Sequence, residues 1–162
     1  MPSTPSGAPP TGVAFLLAQL GAYAAQQFAT ALTDEDLTPP LAGILRMLWA
    51  DSGLSQQQLA ERLGTAPSRI VSYVDDLEAR GWIARTRDTA DRRVNALSLT
   101  KAGDAALGRL AVIGRAHEKR ITAGLSVAEH KSLLTLLSRL ADEHGLTPGV
   151  HPGYRLGGPA KD

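Results

Sequence analysis

The chain has 162 residues, the length of one ordinary domain or of a small domain with an appended oligomerisation element. It contains no cysteine, which excludes disulfides, thiolate catalysis and cysteine-ligated metal sites and suits a reducing cytoplasm. Its 17 basic residues almost balance its 16 acidic residues, so net charge alone does not indicate a nucleic-acid partner and only the distribution of charge can.

The first eleven residues are rich in proline, serine and glycine, and we expect a flexible tail there. This segment lacks the basic and apolar regions of a signal peptide. No run of the sequence approaches the roughly 18 consecutive apolar residues of a membrane span. We therefore expect a cytoplasmic protein with no membrane partner.

Two apolar helices are predicted next. Residues 13–32 place apolar side chains at helical spacing with few charges, and a helix so apolar is usually covered on more than one side. Pro39 and Pro40 mark the entrance of a second helix. Its apolar positions repeat behind them at Leu41, Ile44, Leu45 and Leu48.

A helix-turn-helix is predicted from the caps that follow. Ser55 and Gln58 form an S-x-x-Q capping box that begins a third helix, and Gly64 ends it. Thr65 can cap the next helix. Two short helices joined by a turn of three to four residues containing a glycine are typical of this motif.

The fourth helix, from about Ala66 to Arg80, is predicted to be the one that reads DNA. Ile70, Val74 and Leu77 form its apolar face. A helix in the major groove needs small or hydrogen-bonding residues in its first turns, and Arg69 is the best candidate for a bidentate guanine contact. The residues that meet this need are Ala66, Pro67, Ser68, Arg69 and Ser72.

Two short strands, "WIART" and "VNALSLT", enclose a charged tip that we interpret as a minor-groove contact. Five arginines against Asp88 and Asp91 lie between Arg80 and Arg93. A thin loop carrying arginine can enter the minor groove, where A·T-rich stretches concentrate negative potential. Asp91 can pair with Arg93 and hold it extended. The predicted contacts of this segment are Arg85, Arg87, Arg92 and Arg93, with phosphate contact and a structural ion pair left as equal alternatives for Arg85.

Two further helices are predicted at the end. Thr100 caps the first of them, and Ser126 with Glu129 forms a second capping box that begins the other. A leucine-rich stripe runs along this last helix as far as Gly145, and the sequence beyond it is expected to be irregular.

Residues 38–103 resemble the winged helix-turn-helix of the multiple antibiotic resistance regulator (MarR) family. The most specific parts are "LAERLG", "VDDLEARGWI", the D-x-R at Asp91–Arg93 and "LSLTKAG". The resemblance implies a mainly α fold with a small β-wing, in which residues 12–37 and 101–144 are dimerisation helices, 38–100 bind DNA and 1–11 and 145–162 are tails. It also implies that Ala66 to Tyr73 read the groove and that Asp91 orients Arg93.

By this resemblance the function is sequence-specific transcriptional regulation, most often repression. A homodimer would bind a pseudo-palindromic double-stranded DNA operator with recognition helices roughly 34–36 Å apart. A small aromatic or phenolic effector, the kind this family commonly takes, is expected in a cleft that five residues could line. These are Tyr23, Arg46, Trp49, Arg115 and His117. The aromatic or sulfur-containing residues Phe28, Met47, Trp49 and Trp82 are expected in the core by default.

Other classes of function find less support. A winged module that binds a ligand or a protein without reading DNA remains the alternative, favoured by the balanced charge and the acids at 75–78. The motifs of common enzymes are missing, so we expect no enzyme and no cofactor. The four histidines lack a metal-ligand spacing.

Overall fold

The structure, a computed structural model, describes residues 12–87 and 95–150, without the side chains of Arg87 and Asn95. In chain order these ranges contain α1 (Val13–Thr33), α2 (Pro39–Ala50), α3 (Gln56–Leu63), α4 (Pro67–Ala79), β1 (Ile83–Arg87), β2 (Asn95–Leu99), α5 (Lys101–Ile121) and α6 (Val127–Glu143). The two strands are antiparallel neighbours. The prediction of a mainly helical fold with a small β-wing is confirmed.

Most helix starts lie at the predicted caps. The backbone N–H of Gln58 donates to Ser55 Oγ at 3.2 Å, and Gln58 Oε1 accepts from the backbone N–H of Ser55 at 2.8 Å. Gly64 ends α3 in the left-handed region with a φ of 60°. The predicted Thr65 cap of α4 is wrong, because α4 starts one residue later with Ala66 as its N-cap. Pro67 at N1 has the helical φ built into its ring and no N–H to satisfy.

The core lies between α2, α3, α4 and the wing. The apolar face predicted for α4 is confirmed, since Ile70, Val74 and Leu77 are fully buried. In β2, Leu97 is fully buried, and its N–H donates to the carbonyl oxygen of Leu54 at 2.9 Å just before α3. This bridge fixes the base of the wing to the helix-turn-helix.

Trp49 is a failure of the core prediction, since 69% of it is exposed. It follows Leu48, which is buried, and a step of about 100° around α2 carries it off the core-facing side. Phe28, Met47 and Trp82 are partly buried and pack against the core.

The first and last helices, α1 and α6, carry exposed apolar side chains. Leu32 is the one fully buried residue of α1, and α6 has none among its described residues. The exposed apolar residues of these helices include Phe15, Leu16, Leu17 and Leu20 in α1 and Leu133, Leu134, Leu136, Leu137 and Leu140 in α6. No helix of the described ranges combines the length and apolar character that crossing a membrane requires.

Candidate nucleic-acid interface and ligand cavity

The start of α4 presents an open polar face. Ser68, Arg69 and Ser72 are exposed, and so are Ala66 and Pro67 at the helix entrance. The Arg69 side chain makes no hydrogen bond or ion pair with any described residue. Since the opposite side of α4 is fully buried, the helix is fixed while this face stays available to a partner.

Tyr73 differs from the other residues of the predicted groove-reading segment. It is only partly exposed and packs against the core. Its side chain therefore contributes to the packing of α4 and is only partly accessible to a partner.

Arg85 occupies its guanidinium within the protein. It forms ion pairs with Asp75 and with Glu78, the latter at 2.5 Å between NH1 and Oε2. Of the two alternatives that the sequence left open, the structural ion pair is therefore present. These ion pairs connect β1 to the last turns of α4. A phosphate contact by Arg85 stays a prediction.

The wing tip is the far end of the hairpin. Ile83 pairs with Leu99 at the base, and Arg87 pairs with Asn95 at the other end. Asp91, Arg92 and Arg93 lie outside the described residues, as does the side chain of Arg87. Their contacts with DNA stay predictions.

A cavity of about 1010 Å³ opens between α1, α2, α5 and the segment after α6. Four of the five predicted pocket residues line it, namely Arg46, Trp49, Arg115 and His117. Tyr23 is not among the lining residues, and half of it is exposed on α1. The walls are mostly apolar, with Ala24, Ala25, Phe28, Met47, Leu107, Leu110 and Ala111.

Sequence reasoning missed two parts of this cavity. Arg62 lines it from α3, paired with Asp51 at 2.7 Å, and residues 147–149 line it from the segment that follows α6. The irregular composition of residues 147–149 gave no signal of such a role. Phe28 and Met47 were expected in the core, and they serve both the core and the cavity.

The polar groups of the cavity suit an anion. Arg46 and Arg115 line the cavity, are exposed, and form no ion pair with the described part of the chain, so their two positive charges are available to an anion at this site. Such an arrangement gives orientation and specificity to a small ligand whose body is apolar.

His117 adds an uncharged ring to the cavity. Burial lowers the pKa of His117 below its ordinary value, and the nearby charge of Arg120 lowers it further. The ring centroid is 5.4 Å from that of Phe28, and Nδ1 is buried without a hydrogen-bond partner among the described residues. At neutral pH the imidazole is therefore neutral, and a ligand there meets an aromatic wall.

Comparison with known proteins places this geometry in context. The model of the MarR family matches residues 37–94. A protein of Thauera aromatica named "Putative transcriptional regulatory protein for hcr operon" is 38% identical over 131 residues, which cover 80% of this chain and 78% of that protein.

Solved structures give the same picture. The transcriptional repressor CouR, bound to a 23-mer DNA duplex, superposes with a TM-score of 0.71 at 31% identity and covers 80% of this chain and 92% of its own. Rv2887 of Mycobacterium tuberculosis in complex with DNA gives 0.70 at 27% identity over 81% of this chain and 98% of its own. Rv2887 with salicylic acid gives 0.67 at 28% identity over 82% and 98%.

Proposed function

Because this chain belongs to the MarR family, we propose that it regulates transcription as a homodimer bound to a pseudo-palindromic DNA operator. The observation that carries this proposal is α4, whose buried face is fixed to the core while its first turns present Arg69 and two serines outward. Small residues there let the helix backbone approach base edges, and a free guanidinium can donate two hydrogen bonds to one guanine.

The ends of the chain support the homodimer. The exposed apolar side chains of α1 and α6 would be costly in water if they stayed uncovered on a monomer. We assign residues 12–37 and 101–144 to dimerisation and residues 38–100 to DNA binding. A two-fold axis through these helices would present two recognition helices to successive turns of one DNA face, roughly 34–36 Å apart.

The cavity supports regulation by a small aromatic acid or phenol. Arg46 and Arg115, which form no ion pair within the described ranges, suit its anionic group, and Phe28, Met47 and neutral His117 suit its ring. The structure of Rv2887 with salicylic acid is a precedent in a relative. Since α1, α2 and α5 all line the cavity, a ligand that prefers one arrangement of these helices would shift the population of DNA-competent dimers.

Selection from a random pool of duplex DNA tests the proposal. We expect enriched fragments to contain two inverted half-sites whose centres lie one helical turn apart. Affinity for the selected site should fall linearly with salt concentration on logarithmic axes, because phosphate contacts release counterions. Recovery of no enriched sequence would refute DNA reading and leave the winged module as a ligand-binding or protein-binding domain.

A further inference from the structure

Four elements of the protein meet around Trp82, at the base of the wing. Trp82 lies between α4 and β1, and the guanidinium carbons of Arg80 and Arg109 lie over its ring at 5.3 and 6.0 Å from the centroid. These distances are within the range of cation–π attraction. Arg80 ends α4 and Arg109 belongs to α5, so the indole is contacted from both the recognition helix and a dimerisation helix.

The same two arginines bind neighbouring acids in the turn between α1 and α2. NH1 of Arg80 donates to the carbonyl oxygen of Asp36 at 2.8 Å and to its Oδ2 at 3.0 Å. Nε of Arg109 donates to Glu35 Oε2 at 2.6 Å. We call Glu35, Asp36, Arg80, Trp82 and Arg109 the Trp82 junction. It connects the α1–α2 turn, α4, the wing and α5 through side chains and the carbonyl oxygen of Asp36.

The orientation of the Arg80 guanidinium is fixed from its own helix. Nε of Arg80 donates to Asp76 Oδ1 at 2.8 Å and NH2 donates to Oδ2 at 3.3 Å. The hydrogen bond to Asp76 is the main reason that the pKa of Arg80 is raised. Asp36 in turn adopts a φ of 52°, a left-handed conformation that is uncommon outside glycine, and its carbonyl oxygen accepts from Arg80.

These contacts determine geometry more than stability. Asp36 is 90% exposed, and exposed ion pairs contribute little free energy to folding. A planar guanidinium, however, holds its hydrogen bonds and its stacking in fixed directions. The Trp82 junction therefore suits the task of fixing one element relative to another.

Arg109 lies at a position where a shift of the dimerisation helix α5 would change the contacts that orient the winged module. Its neighbour Leu110 lines the cavity, and the start of α5 is anchored at the other side of Trp82, where the Thr100 N–H donates to the Trp82 carbonyl oxygen at 3.0 Å. A shift of α5 about this anchor would displace Arg109 from Glu35 and from the indole.

We propose that Arg109 is a positioning residue for operator recognition, which holds the winged module at one orientation on the dimerisation helices through Glu35 and Trp82. This inference rests on the proposed function. It predicts that loss of Arg109 leaves the module folded and the dimer intact but frees the angle between the two recognition helices.

Pulsed electron–electron double resonance measures the distance between two spin labels. This distance changes when the orientation of the two winged modules changes. Because the chain has no cysteine, Gln57→Cys at an exposed position of α3 provides one spin label in each protomer. In the labelled parent we expect a narrow distribution of interlabel distances. Arg109→Gln should broaden and shift it and, without the label, weaken operator binding by roughly fivefold or more. Lys119→Gln, an exposed cation of the same helix, should change neither quantity.

The outcomes separate this inference from the proposed function. If Arg109→Gln has the parent's distance distribution while both bind DNA, the inference is wrong and the proposed function stands. A lower Tm with an unaltered distribution of interlabel distances would also contradict the inference, because it would show that Arg109 stabilises the fold without positioning the winged module. If Arg109→Gln does not fold, Glu35→Gln removes the same ion pair and must broaden the distribution. A parent that is monomeric and binds no DNA would overturn both.

Discussion

At the scale of single residues, the arginines of the DNA-binding module divide into two groups. Arg80 and Arg85 are held by carboxylates of α4 and of the α1–α2 turn, so they position elements of the fold. Arg69 has no such partner in the described ranges and points from the exposed face of α4. Charge content alone cannot separate these groups, because the difference depends on which acids lie within hydrogen-bonding distance.

Replacement of Arg69 by alanine should relax base preference at one position in each half-site. A lost bidentate guanine contact costs about 1–3 kcal/mol of discrimination. Repeating the random-pool selection with Arg69→Ala measures this directly. Arg120→Ala, which removes an exposed arginine at the end of α5, should leave the selected sequence unaltered. An identical binding-site profile for Arg69→Ala would contradict the assignment.

His117 should make the protein less stable as the pH falls below about 7. Its native pKa is lowered from the ordinary value of 6.5, so the unfolded chain takes up a proton there that the native state resists. Stability should decrease through pH 6.5 and stop decreasing once the pH is below the native pKa.

Urea unfolding of wild type and His117→Gln at pH 7.5 and 5.5 measures this contribution. The loss of unfolding free energy between the two values should be smaller in His117→Gln than in wild type. His130→Gln, which replaces a histidine paired with Glu118 outside the cavity, serves as the control for histidine content. Equal losses in wild type and His117→Gln would show that His117 does not titrate as described.

At the scale of elements, the start of α5 fixes the base of the wing. Thr100 caps the helix by accepting from the Gly103 N–H at 3.1 Å and donates its hydroxyl to the carbonyl oxygen of Gly81 at 2.6 Å. Gly103 itself lies against the backbone of Trp82, since a Cβ at this position would be 2.0 Å from the Trp82 carbonyl oxygen. The helix and the wing therefore approach each other as closely as a glycine permits.

Gly103→Ala should destabilise the protein by about 1–3 kcal/mol, because the added methyl meets backbone that cannot rotate away. Gly108→Ala on the same helix is the matched control, since its Cβ would have nothing within 4 Å. It should raise stability by about 0.5–1 kcal/mol through the helix propensity of alanine. Chemical denaturation of the two variants gives both values, and the same sign for both would refute the close approach at Gly103.

At the scale of the whole molecule, α1 and α6 present exposed apolar side chains to solvent in the single protomer. One protomer buries its core between α2, α3, α4 and the wing, and many of its exposed apolar side chains lie on α1 and α6. Association of two copies through these faces would cover them and bring the two recognition helices into one assembly. The Trp82 junction would then fix the orientation of each winged module relative to the dimerisation helices.

Leu134→Glu should weaken dimerisation without unfolding the protomer. Leu134 is 58% exposed, so a charge there meets water in the monomer and the partner's apolar face in the dimer. A dimer carries two copies of the change, which together remove about 3 kcal/mol or more of the stabilisation that apolar burial gives the interface. Light scattering over a dilution series measures the dissociation constant. Thr135→Glu, which adds the same charge at an exposed position of α6 without removing an apolar side chain, is the control. A dimer as tight as wild type would place the interface elsewhere.

The sequence by itself determined the features that depend on neighbouring residues. The capping boxes at Ser55 and Ser126, the turn at Gly64 and the buried face of α4 are local patterns, in which residues a few positions apart meet whatever the rest of the chain does. The helix-turn-helix followed from their order, and the resemblance to the MarR family added the wing. Thr65 failed as a cap because Pro67 allowed the helix to begin without a side-chain oxygen.

Only the tertiary structure decided the features that depend on distances between elements. It paired Arg85 with two acids of α4 and brought residues 147–149 to the wall of the cavity. Each of these is a contact between different elements of the fold. No periodicity encodes such contacts, because they arise when separately formed helices pack, and packing depends on the shape of the whole core.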